Sequence, residues 1–132
     1  MYQLLNVTCF AFHSALIVFI LFGWAWRKTR PAHLLVVGLT AFSWFGLGLF
    51  YGLGYCPCTH WHWRVRLHLG YTDMPRSYIK FLVDQLTGLD APAFWVDTVT
   101  VTAFFVAAAL SAALTVRDRR RRNTPEARTG SR

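Results

Sequence analysis

Cys56-Pro57-Cys58-Thr59-His60-Trp61-His62-Trp63-Arg64-Val65-Arg66 is the stretch of this 132-residue chain where thiols, imidazoles, indoles and guanidiniums crowd together. Cys56, Cys58, His60 and His62 alternate strictly. In an extended strand such residues project from one face, which would make them a ligand set for a soft divalent metal or copper. Two points oppose this reading. Structural zinc sites place two to four residues between paired cysteines, and here there is only Pro57. A helix starting at Thr59 would also swing the histidines away from the thiols.

The thiols suggest a second chemistry. In an oxidising compartment Cys56 and Cys58 could pair with each other, or one of them with Cys9. A ring closed across a single proline would be strained and easily reduced, which suits thiol exchange more than a permanent staple. Yet no Cys-x-x-Cys is present, and three cysteines leave one unpaired. For haem, His13 and His33 sit near opposite ends of apolar segments, roughly 20 Å apart in depth, so one haem cannot use both. No serine-histidine-acid set, phosphate loop or catalytic carboxylate pair occurs. No catalytic residue is assigned and no cofactor is expected; a metal ion at Cys56, Cys58, His60 and His62 is the one exception kept open.

The segments that must position this stretch are apolar. The chain is 55% hydrophobic and 17% aromatic with six acidic residues, more apolar surface than a soluble domain of this size can hide. Residues 4–26 and 33–55 carry no Asp, Glu, Lys or Arg. Each would run about 34 Å as a helix, enough to cross a bilayer. Pro92 to Val116 is a third such span, small-residue rich from Ala107 to Ala113 and interrupted by Asp97. Gly48-Leu49-Phe50-Tyr51-Gly52 in the second span has the small-xxx-small spacing of close helix contacts. A cleaved signal peptide does not fit residues 4–26, because the apolar run is too long and no basic residue precedes it.

Residues 56–91 are too polar to cross. Pro57 interrupts the preceding helix and Thr59 is placed to cap a new one, with Trp61, Val65, His68 and Leu69 on one face and His62 and Arg66 on another. A second short helix is expected from about Asp73 or Ser77 to Gly88. Its apolar stripe is Tyr78, Ile79, Leu82, Leu86 and Leu89. The expected fold is therefore an all-α integral membrane protein with three transmembrane helices and short interfacial helices between the second and third. A four-helix membrane bundle is the alternative. Residues 1–116 form one domain, and 117–132 a basic disordered tail.

The formal charge of +8 does not imply nucleic acid, because the basic residues flank the spans and no aromatic residue follows Val116. Half of the 14 Lys and Arg lie from Arg117 onward, and Arg27, Lys28 and Arg30 fill the first turn. Three spans put that turn and the tail on one side, so both are expected in the cytoplasm, with the N-terminus and the 56–91 loop outside. His13 and Asp97 would then sit in the outer half of their spans. With Thr100 they would line a polar pocket roofed by the loop. The simpler reading is that His13 and Asp97 only hold helices together, bonded to each other or to loop arginines.

His13 with Phe19 and Gly23, then His33, then Cys56-Pro57-x-Thr59 with Arg66 ten residues after the cysteine, resembles a family of small bacterial inner-membrane proteins, domain of unknown function 2784. Ser77-Tyr78-Ile79 with Leu82 resembles that family's next block. The resemblance covers roughly residues 10 to 95 and implies His13, Cys56, Pro57, Thr59 and Arg66 as the positions to test. It implies no activity. Cys58 stands where the family commonly has leucine and His62 where it commonly has glutamate, so the alternating set looks particular to this branch.

Two functions follow. One is a non-catalytic membrane protein that binds membrane lipids or a membrane-protein partner, a second copy included, with the Cys-Pro-Cys-Thr segment as a folded cap. The other is a redox or metal-handling membrane protein using Cys56, Cys58 and the nearby histidines.

Overall fold

The protein, seen in a computed structural model, is described for residues 1–75 and 77–123. Three helices are long and apolar enough to cross a membrane: α1 (Tyr2–Phe22), α2 (Arg30–Tyr51) and α5 (Ala93–Asn123). Between α2 and α5 lie two short ones, α3 (Pro57–His68) and α4 (Tyr78–Thr87). No strand occurs among the described residues. Helices suit such sequences because lipid offers backbone groups no partner, and a helix satisfies them within one segment. At 10 residues, α4 is about 15 Å long and cannot cross. The three-span architecture holds, and the four-helix alternative falls.

The spans begin and end a few residues from where hydropathy alone put them. α1 stops at Phe22 because the chain turns at Gly23, whose amide bonds the Phe19 carbonyl at 2.7 Å. Thr29 then ties the turn by donating to the Gly23 and Trp26 carbonyls at 2.6 and 3.0 Å. Pro31 sits in the first turn of α2, where its missing N–H costs nothing. Across this hairpin the fully buried His33 meets the Ile20 carbonyl through Nε2 at 2.8 Å. The approach is close. A Cβ on Gly23 would lie 2.6 Å from the Phe19 carbonyl oxygen and 2.9 Å from His33 Cδ2.

α2 contains a π-helical turn at Phe42–Leu47 before its last residues, Gly48–Tyr51. The chain after α2 folds back on this turn, with Gly54 N–H donating to the Trp44 carbonyl and Ser43 Oγ to the Tyr55 carbonyl. This changes the meaning of the glycines. A Cβ on Gly48 would lie 3.2 Å from the Leu53 backbone, and Gly52 ends the helix at a φ of 104°, which only glycine adopts readily. The Gly48–Gly52 spacing thus serves a reversal of the chain rather than a helix–helix face.

The apolar core is small: Ile20, Val37 and Phe104, with Leu16, Val36, Ala41, Trp44 and Ala108 packed on it. Ala107 and Ser111 of α5 are buried one turn apart, as the small-residue run requires for close packing. Most other large apolar side chains point outward, among them Leu4, Phe12, Val18, Leu39, Phe50, Val99 and Val106. At most 17% of any span's apolar window is buried, so the outer faces suit lipid.

Each end of the bundle is fastened by polar contacts. At the turn end, Arg30 donates to the Trp24 carbonyl and, with Arg27, pairs with Asp118 of α5. This corrects the expected tail boundary. α5 continues helical through Asn123, because leaving the apolar span does not end a helix whose Asp118 is held by two arginines. The rest of the expected tail, 124–132, lies outside the described residues.

Candidate functional site

The other end carries the cap. α3 begins at Pro57, two residues before Thr59, with Cys56 as the extended residue that precedes it. Its inward face is the polar one: Thr59, His62 and Arg66, at helical spacing, are buried, whereas Trp61 is 73% exposed. The two faces are those the sequence sorted, and the polar one turns inward because α3 packs on the polar N-terminal part of α1, while the bundle's outer surface is itself apolar. His62 Nε2 meets Asn6 Oδ1 at 2.8 Å, which fixes α3 on α1.

α4 closes this face. Ser77 precedes it in an extended conformation, and Gly88 ends it in the left-handed region at φ 68°, as the sequence places them. Tyr78 and Phe81 are its buried residues, while Leu86 and Leu89 of the expected stripe are exposed. The Tyr78 ring lies 3.9 Å from the buried His13 and 5.8 Å from both His62 and Trp63. Lys80 pairs with Asp84 at 2.7 Å and also with Asp90, securing α4 to the link with α5.

Arg66 enters the cluster from α3. Its guanidinium lies 4.2 Å from the Tyr71 ring centroid, 4.6 Å from Phe81 and 6.0 Å from Trp63. The side chain is buried, and no carboxylate among the described residues comes within ion-pair distance. Arg66 Nε, His62 Nδ1, His13 Nδ1 and Ser14 Oγ are all buried without a hydrogen-bond partner. His62 is held below its usual range by burial first and by the neighbouring Arg66 second, which keeps it neutral beside the guanidinium.

Several expected partners do not meet here. Asp97 is exposed on α5, so it neither faces His13 nor neutralises Arg66. Thr100, half-buried, donates to the Val96 carbonyl at 2.7 Å and lines a separate apolar groove. The polar pocket of His13, Asp97 and Thr100 is therefore corrected. His13 joins Tyr78 and His62 instead, because the Asp97 side of α5 faces away from the bundle. The four-residue ligand set is dispersed too. Helical backbone from Pro57 leaves His60 exposed against Tyr55 and His62 buried on Asn6. Among the described residues no three His, Cys, Asp or Glu side chains gather as a metal would need.

The thiols are free. Cys58 is an exposed residue whose thiol is nonetheless pushed up, chiefly by burial and then by the adjacent Cys56, with a smaller push from Cys9. A raised thiol is a poor nucleophile at neutral pH. Asn6, Trp63, Tyr71, Tyr78 and Phe81 were not candidates from sequence. Asn6 did carry a signal, since it follows helical spacing with Cys9 and His13.

Below the cluster, Ile17, Ile20, Leu21, Trp44, Ile79, Thr100, Ala103 and Phe104 enclose an apolar groove of about 130 Å³. Ile17, Ile20 and Leu21 continue the α1 face that bears His13, and Ile79 follows Tyr78. Groove and cluster are thus neighbours along the same two elements.

Three apolar spans, an amphipathic cap and an outward-facing apolar surface define a multi-pass membrane protein. Within that class the chain belongs to the family described as Protein of Unknown function (DUF2784), whose model matches residues 3–116. No curated protein and no solved structure matches it.

Proposed function

We propose that the protein is a non-catalytic lipid-binding protein of the bacterial inner membrane, seating a segment of an acyl chain in the groove between α1, α2, α4 and α5. The observation that carries this reading is the groove's lining. It is apolar except for the Thr100 hydroxyl, which is already spent on the Val96 carbonyl. Such a slot offers a few methylene groups dispersion contacts and no polar recognition, which suits a short segment of a hydrocarbon chain. In this reading the cap faces outward, and the arginine-rich turn and α5 end face the cytoplasm, in keeping with the excess of basic residues there.

Mild-detergent purification followed by native mass spectrometry tests the reading. Phospholipid should stay bound to the wild type and be lost from Ala103→Trp, which fills the groove. Equal retention by a folded Ala103→Trp would overturn it. The redox alternative is the weaker one, because Cys58 is raised rather than activated. Cys56→Ser with Cys58→Ser should keep both fold and bound lipid.

A further inference from the structure

We propose that Arg66, at the junction of α3 and α4, is an anion site that takes the phosphate of an anionic phospholipid. The inference rests on the acyl-groove reading and names the head group that would lie above it. Three independent features converge on this residue.

The first is charge. Arg66 is 9% exposed, yet its guanidinium Nε is buried without a hydrogen-bond partner and the side chain has no ion pair among the described residues. Guanidinium is always charged and carries five N–H donors. Burying it without an acceptor is costly. The rings of Tyr71, Phe81 and Trp63 offset only part of this through cation–π contact. The acidic groups of α4 and its link, Asp84 and Asp90, are taken by Lys80.

The second is the absence of competing charge. His13 and His62 face the Tyr78 ring from α1 and α3, and the Asp84 carboxylate of α4 is paired with Lys80. With His62 held neutral, Arg66 is the one charged side chain that the described residues bring to these rings. Anion uptake then neutralises that charge. The third is position. The groove begins one turn below His13, at Ile17, and continues beside Tyr78 at Ile79. A phosphate at Arg66 would direct the chain attached to it toward that opening. Arginine matches phosphate through paired N–H donors, a geometry lysine lacks.

The test titrates the full-length chain in detergent with a short-chain phosphatidylglycerol, the matching phosphatidylcholine, or inorganic phosphate, following thermal stability and tryptophan fluorescence. Phosphatidylglycerol should bind about tenfold more tightly than phosphatidylcholine. Arg66→Gln should abolish that preference, and Arg66→Lys should keep it at reduced affinity. Protection by inorganic phosphate as strong as by phosphatidylglycerol, and lost in Arg66→Gln, would support the anion site but replace the lipid with a free anion. Ala103→Trp separates the two proposals. Loss of both lipids with no change in phosphate binding locates the chain in the groove; unchanged lipid binding removes the groove while leaving Arg66 standing. Should Arg66→Gln not fold, the wild type and Arg66→Lys decide. Equal affinity of the wild type for the two lipids and no response to phosphate would overturn the site.

Discussion

His62 illustrates what one side chain contributes at the cap. It is 1% exposed, bonded to Asn6 and set four residues from Arg66 on the same helix face. Burial, then the guanidinium, keeps its folded-state value below the usual 6.5. The sign follows from proton counting. Between the lowered value and 6.5 the unfolded chain binds more protons than the folded one, so stability rises with pH across that window. The contribution is complete above 6.5 and is lost as pH falls toward the lowered value. The unfolding midpoint in detergent should therefore drop between about pH 7 and pH 5. His62→Gln, which can still bond Asn6, should flatten the drop. An unchanged slope in that variant would assign the pH response to other histidines, of which His13 faces the same cluster and His60 and His68 are exposed.

Among the elements, the α1–α2 hairpin gives the sharpest prediction. Gly23→Ala places a methyl group against the Phe19 carbonyl and the His33 ring, both under 3.0 Å away. The carbonyl is backbone and the ring is held by its bond to Ile20, so neither gives way cheaply. The expected loss is about 1–3 kcal/mol, read as a lower unfolding midpoint. Gly38→Ala, where nothing lies within 4 Å, should be neutral or gain about 0.5–1 kcal/mol. The pair also marks what the sequence disclosed. Long apolar runs announced all three spans, and Ser77 and Gly88 bounded α4, because local chemistry decides both. The π turn did not announce itself, since Phe42–Leu47 reads as an ordinary apolar helix. The two faces of α3 were legible, but periodicity alone does not say which packs inward; Trp61 meets the outer boundary while His62 and Arg66 turn in. Asp97 failed likewise: helical spacing with Thr100 groups the two but does not say which way the group faces.

At the scale of the whole molecule the packing is inverted relative to a soluble protein. The largest fully buried side chains are His33, His62 and Ser111, while leucine, valine and phenylalanine crowd the outside. His33 locks the turn end and His62 the cap end, so polar contacts fasten the two extremities and a small apolar core joins them. Arg27 and Arg30 meet Asp118 at the end opposite the cap, which brings the first turn and the last helix together. That arrangement makes membrane sidedness a single variable. If the basic end lies in the cytoplasm, the cap must lie across the bilayer from it. In a variant lacking Cys9, Cys56 and Cys58, Tyr71→Cys presents a thiol at a position already 46% exposed on the cap. An impermeant maleimide added to intact cells should label it, and Arg119→Cys, at the opposite end, should label only after permeabilisation. The native Cys58 is the poorer reporter because its raised thiol reacts slowly. Labelling of both positions from the same side would break the three-span crossing itself, whereas labelling of Arg119→Cys alone would keep the fold and reverse its orientation, placing the Arg66 site in the cytoplasmic leaflet.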